Sequence, residues 1–90
     1  MRIVVMASGR GTNLQAILDA VRSGEIDAEV AAVVSDVRDA PALDRARASG
    51  VPVAAVVRRE FASRDKFEEA LAACVESFAP DLIVLAGFMR

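Results

Sequence analysis

The chain has 90 residues, a formal net charge of −2 and no histidine, and 54% of its residues are hydrophobic. This length corresponds to one small domain. The charges are interspersed rather than gathered in a basic stripe of the kind that binds nucleic acid. No apolar stretch reaches the roughly 18–20 residues of a membrane span. The lack of histidine removes the commonest general base and a common zinc ligand. We therefore expect no nucleic acid, no membrane and no metal among its partners.

The start of the chain predicts a strand, a glycine-rich turn and a helix. Arg2–Met6 is short, apolar and rich in β-branched residues, as in a buried strand. Apolar residues then recur with helical spacing, and Thr12 with Gln15 matches the capping box, which predicts that the helix begins at Thr12. Gly24 predicts the end of this helix.

The rest of the chain repeats this alternation, with proline or a capping serine before each helix and glycine or proline after it. The predicted elements are a strand at Ala28–Asp36, a helix from Pro41 to Gly50, a strand at Val51–Val57, a helix between Ser63 and Pro80 with an apolar stripe at Phe67, Leu71, Cys74, Val75 and Phe78, and a strand at Asp81–Gly87. The single cysteine, Cys74, is accordingly predicted as a core residue.

The order β-α-β-α-β-α-β predicts an α/β fold. The strands are apolar without clean alternation, which favours a parallel sheet covered by helices on both sides. Right-handed crossovers favour the strand order 3-2-1-4, the first part of a doubly wound, Rossmann-like fold. Because the N-terminus lacks the layout of a signal peptide, we expect a cytoplasmic protein.

The turn between the first strand and the first helix, residues 7–13, reads ASGRGTN. Glycines and the unpaired N–H groups of a helix start make such a turn a candidate phosphate site, and a tight, well-capped turn is the alternative. The segment lacks the lysine of a P-loop. Leu14 stands where the dinucleotide-binding pattern requires its third glycine, so ATP hydrolysis is disfavoured and NAD binding is weakened.

A second segment is expected beside this turn. In the order 3-2-1-4 the first and fourth strands are neighbours at the topological switch point, where open α/β sheets bind ligands. Gly9–Asn13 and Gly87–Arg90 should therefore line one crevice, and Arg64 is expected to reach the same edge. Taken singly, Arg64 and Arg90 are typical of solvated surface arginines.

Four segments carry a family resemblance: IVVMASGRGTNLQAI at the front, the pattern AxxLxRA at 40–46, FASRDKFEEAL in the third helix and APDLIVLAGFMR at the end. With them the chain resembles the phosphoribosylglycinamide formyltransferase family over its full length. The resemblance implies that Gly11, Thr12 and Asn13 hold the phosphate of glycinamide ribonucleotide. It also implies that Arg64, Met89 and Arg90 bind 10-formyltetrahydrofolate, the formyl donor.

The chain departs from this family in two respects. Asp36 stands where the family often has asparagine; a solvated strand-end aspartate is one interpretation, and a ribose-binding role belongs to a dinucleotide-binding alternative. The family's catalytic asparagine, histidine and aspartate lie in its second half, so no catalytic residue is assigned here. Residues 1–90 are then expected to be an N-terminal, substrate-phosphate-binding domain that is inactive alone and self-associates through the face left by the missing half.

Two other functions stay open on the sequence. One is a stand-alone nucleotide- or dinucleotide-binding module, which the glycine turn and Asp36 favour and Leu14 disfavours. The other is a structural α/β fragment without activity, which the apolar composition favours.

Overall fold

Within residues 1–88, which a computed structural model describes, four strands and three α-helices alternate as predicted. The last three strands are shorter than the apolar runs that predicted them, because only residues facing a neighbouring strand join the ladder. The elements are β1 Arg2–Met6, α1 Thr12–Arg22, β2 Glu29–Ser35, α2 Pro41–Ala48, β3 Val53–Ala55, a 3₁₀ turn at Arg58–Glu60, α3 Arg64–Glu76 and β4 Leu82–Leu85. No helix in this part of the chain combines the length and apolar character that a membrane span requires.

The sheet is parallel and its order is β3-β2-β1-β4, which confirms the predicted topology. Val5 of the central strand lies between Val33 of β2 and Val84 of β4. Among the described residues, β4 pairs only with β1 and forms one edge of the sheet. The carboxyl ends of the neighbouring strands β1 and β4 consequently lie side by side, at the topological switch point of the sheet.

The side chains of β1 alternate between two cores. Ile3 and Val5 belong to the front core, which lies between the sheet and helices α1 and α2. Val4 and Met6 belong to the back core, which lies between the sheet and α3. Helices α1 and α2 contribute five buried residues to the front core: Leu14, Leu18, Ala42, Leu43 and Ala46. Helix α3 contributes Val75 and the partly buried Leu71 and Cys74 to the back core, and Phe78, just after the helix, packs against the same core. Helices therefore cover both faces, as predicted.

Cys74 packs into the back core, which confirms its predicted role. Burial raises the pKa of the Cys74 thiol, because a partly apolar environment disfavours the thiolate. The thiol is therefore protonated at neutral pH, and a protonated thiol is a poor nucleophile.

The starts of α2 and α3 are as predicted, at Pro41 and after Ser63, whereas these helices end at Ala48 and Glu76, before the predicted Gly50 and Pro80. Ser63 caps α3, where its Oγ accepts a hydrogen bond from the Lys66 N–H at 3.2 Å. Helix α1 begins at Thr12, but its N-cap is Gly11, which has a φ of +82°, and no side chain caps this end. The predicted capping box is therefore wrong. Gln15 instead turns its side-chain amide along the helix to Asp19, at 3.0 Å.

Candidate functional site

The candidate site lies beyond the carboxyl ends of β1 and β4. The Ser8 N–H donates to the Gly87 carbonyl at 3.4 Å, so the turn after β1 and the segment after β4 are adjacent. This contact lies one residue before the predicted segment Gly9–Asn13, and the shared crevice of Gly9–Asn13 with Gly87–Arg90 stays a prediction. Phe88, the next residue, packs against the back core.

The glycine turn presents a row of backbone donors. Within residues 1–88, none of the N–H groups from Gly9 to Leu14 donates to an acceptor. Thr12 and Asn13 are exposed at the first turn of α1, where the helix dipole adds positive potential. No acidic side chain occupies that first turn. This arrangement suits an anion, because free N–H groups and the dipole both favour negative charge.

The carbonyl side of the turn is held against α2. The Gly9 carbonyl accepts from the Ala42 N–H at 3.1 Å, and the Arg10 carbonyl accepts from Arg45 Nε at 2.8 Å. At Gly11, a Cβ atom would lie 2.7 Å from Ala42 Cα, a distance that backbone atoms do not tolerate. Glycine at position 11 is therefore required by the packing of α2, in addition to its left-handed φ.

Asp36 is buried, with 4% of its surface exposed, so its interpretation as a solvated strand-end residue is wrong. One carboxylate oxygen, Oδ1, accepts a hydrogen bond from Ser8 Oγ at 2.6 Å. The contact forms because β1 and β2 are neighbours and their carboxyl ends bring both residues together. Asp36 thus anchors the start of the glycine turn to the end of β2.

Arg64 is the first residue of α3, and 78% of its side chain is exposed. Its Nε donates to Glu68 Oε1, one helical turn later, at 3.1 Å. Among the described residues, no hydrogen bond or ion pair joins Arg64 to the glycine turn. Met89 and Arg90, which complete the predicted folate-binding set, lie outside the described residues.

Sequence reasoning missed Ser8 and Arg45. Both hold the turn through partners that are distant in sequence: Asp36 lies 28 residues from Ser8, and Arg45 lies 35 residues from the Arg10 carbonyl that it binds. The only signal for Arg45 was its place in the AxxLxRA pattern, to which no role had been attached.

Comparisons with known proteins agree on one family. The family model described as "Formyl transferase" matches residues 1–90. Phosphoribosylglycinamide formyltransferase of Escherichia coli is 44% identical over 90 residues, which are all of this chain and 42% of that protein. The human trifunctional purine biosynthetic protein adenosine-3 is 35% identical over 89 residues, which are 99% of this chain and 9% of that protein.

Solved structures agree with these sequences. Glycinamide ribonucleotide transformylase 1 from Symbiobacterium toebii superposes with a TM-score of 0.95 at 48% identity, covering 100% of this chain and 42% of that one. Phosphoribosylglycinamide formyltransferase from Coxiella burnetii, in complex with CHES, gives a TM-score of 0.96 at 46% identity with the same coverage. The chain thus spans less than half the length of these relatives, and it belongs to the formyl transferase family.

Proposed function

We propose that residues 1–90 are the substrate-phosphate-binding part of a phosphoribosylglycinamide formyltransferase. Such an enzyme transfers a formyl group from 10-formyltetrahydrofolate to the amine of glycinamide ribonucleotide in purine biosynthesis. The observation that carries the proposal is the row of unpaired N–H groups at Gly11, Thr12 and Asn13, placed at the switch point of a formyl transferase fold. The cytoplasmic location expected from the sequence belongs to the same proposal.

In this proposal the glycine turn holds the phosphate of glycinamide ribonucleotide. The N–H groups of Gly11, Thr12 and Asn13 donate to phosphate oxygens, and the Thr12 hydroxyl and Asn13 amide add side-chain donors. Hydrogen bonds to an ionised acceptor are shorter and stronger than neutral ones, so three or more of them fix one end of the substrate. The bound substrate then extends along the switch point toward the segment after β4.

The proposed folate-binding residues are Arg64, Met89 and Arg90, all carried over from the family resemblance. Arg64 is at present paired with Glu68. Because an exposed i,i+4 ion pair contributes only about 0.3–0.5 kcal/mol, Arg64 can exchange Glu68 for an anionic group of the folate at small cost. No metal takes part in the proposed reaction.

The chemical step belongs to residues outside this chain. Formyl transfer passes through a tetrahedral intermediate, which needs donors for its oxyanion and a group to move a proton from the attacking amine. The chain contains no histidine, and none of its residues is assigned to these roles. We therefore expect the 90-residue chain to bind the substrate phosphate and to be catalytically inactive.

Self-association through β4 is also part of the proposal. This edge strand exposes Leu82, Ile83 and Leu85, and an open apolar edge favours pairing with another chain. Sedimentation at increasing concentration should show a monomer–dimer equilibrium that Leu85→Lys shifts toward monomer. A monomer at all concentrations would contradict this part of the proposal.

An amide-resolved NMR titration with glycinamide ribonucleotide tests the central point, with AMP as the control ligand. We expect chemical-shift changes at Gly9–Asn13 with glycinamide ribonucleotide and weaker changes with AMP. Binding of AMP or NAD without any response to glycinamide ribonucleotide would support the nucleotide-binding alternative instead. Formyl transfer by the purified chain would contradict the assignment of the chemistry to residues outside it.

A further inference from the structure

Helix α2 places a charged side chain, that of Arg45, against the glycine turn. In the proposed function this side chain does not need to contact the substrate. We propose that Arg45 is a positioning residue, which orients the Gly11 N–H for the substrate phosphate; this inference rests on the proposed function. Its Nε donates to the Arg10 carbonyl at 2.8 Å, and its Nη1 lies 3.4 Å from Gln15 Oε1. One side chain therefore contacts the turn at Arg10 and the first turn of α1 at Gln15.

The geometry of the peptide unit links the hydrogen bond between Arg45 and the Arg10 carbonyl to the direction of the Gly11 N–H. In a planar trans peptide unit the C=O and the following N–H point in opposite directions. Because Arg45 holds the Arg10 carbonyl toward α2, the N–H of Gly11 in the same peptide unit points away from α2. The Ala42 N–H acts in the same way on the preceding peptide unit, since it holds the Gly9 carbonyl at 3.1 Å.

Partial burial and the absence of a carboxylate partner among the described residues suit Arg45 to this role. It is half-buried, and among residues 1–88 no carboxylate forms an ion pair with it. Its aliphatic stem packs under the turn, where a Cβ at Gly11 would lie 3.0 Å from Arg45 Cδ. A charged donor to a carbonyl is stronger than a neutral one, so the bond resists rotation of the Arg10–Gly11 peptide.

Arg47 provides a matched control on the same helix. Its Nη1 pairs with Asp44 Oδ1 at 3.0 Å, and 55% of its side chain is exposed. Arg47→Met removes the same charge as Arg45→Met and leaves the turn untouched. A difference between these two variants therefore reports the contact with the turn rather than the loss of positive charge.

The experiment measures binding of glycinamide ribonucleotide and of inorganic phosphate to the wild-type chain, Arg45→Met and Arg47→Met by amide-resolved NMR. We expect Arg45→Met to weaken the binding of both ligands about tenfold, the effect of losing one hydrogen bond to a charged group, and Arg47→Met to change it less than about twofold. In the unliganded protein, the Gly11 amide resonance should move in Arg45→Met and stay in Arg47→Met. Arg45→Lys, which keeps the stem and the charge, should fall between the two and serves as the readout if Arg45→Met does not fold.

The outcomes separate this inference from the proposed function. Equal weakening by the variants at positions 45 and 47, or an unmoved Gly11 resonance, would overturn the role of Arg45 alone. If wild type binds inorganic phosphate at the turn but not glycinamide ribonucleotide, the proposed function fails and the positioning role of Arg45 stands. If neither ligand perturbs Gly11, both proposals are wrong.

Discussion

Strands β1 and β4 are neighbours with similar sequences and opposite environments. Val4 and Val5 of β1 are fully buried, whereas Leu82 and Ile83 of β4 are each 48% exposed and Leu85 is 64% exposed. An apolar run therefore predicts a strand in both places, but burial depends on what covers it. In β1 a strand lies on each side and helices lie on both faces; β4 has a strand on one side only among the described residues.

The largest expected contrast in stability is between a variant in the buried front core and a variant at the exposed β4 edge. Leu14→Ala removes a side chain that is 0% exposed in the front core, and we expect a loss of about 2–5 kcal/mol in the free energy of unfolding. Leu85→Ala, at the exposed β4 edge, should cost less than about 0.5 kcal/mol. Urea denaturation of both variants measures the difference. Comparable losses would mean that β4 is as well covered as the front core.

Gly11 tests how closely the front helices are packed. In Gly11→Ala the new Cβ meets Ala42 Cα at 2.7 Å and the backbone is left-handed, so we expect a loss of about 2–4 kcal/mol from strain and overpacking together. Gly24→Ala is the matched control, because φ is +85° there and no heavy atom lies within 4 Å of the added Cβ. Its cost should be about 1 kcal/mol, from φ alone.

Thermal and urea unfolding of Gly11→Ala and Gly24→Ala measure how much stability depends on the contact between the turn and α2. If Gly11→Ala and Gly24→Ala lose the same stability, the contact between the turn and α2 is looser than the distances indicate. Crystal or NMR structures of Gly11→Ala should also show α2 displaced from the turn.

The smallest expected contrast in stability is between variants at the starts of α3 and α1. Ser63→Ala removes the hydroxyl that accepts the Lys66 N–H, and we expect a loss of about 1 kcal/mol in the free energy of unfolding. Thr12→Ala should change this free energy by less than about 0.5 kcal/mol, because the Thr12 side chain caps no N–H group. A loss of about 1 kcal/mol in Thr12→Ala would restore the capping box as a feature of α1.

Much of the fold could be predicted from local patterns. The element types and the starts of α2 and α3 depend on apolar periodicity, on Pro41 and on Ser63, whose effects extend over a few residues. The parallel sheet and its order then followed from the alternation of strands and helices and from right-handed crossovers. The position of the glycine turn beside the end of β4 followed from the order alone. The family followed from four segments that resemble a known enzyme family: the strand and turn at the front, the pattern at 40–46, the third helix and the end of the chain.

The remaining features depend on partners that local patterns cannot specify. Thr12 and Gln15 satisfied the capping-box pattern, yet the approach of α2 to the turn requires Gly11 at the N-cap. The hydrogen bond of 2.6 Å between Ser8 and Asp36 likewise depends on the pairing of β1 with β2, which brings these two distant residues together. The sequence by itself determined which elements form and in what order, because hydrophobic periodicity and capping act locally. Only the tertiary structure decided that Arg45 binds the turn and that Asp36 is buried, because both depend on chain segments packed together from distant positions.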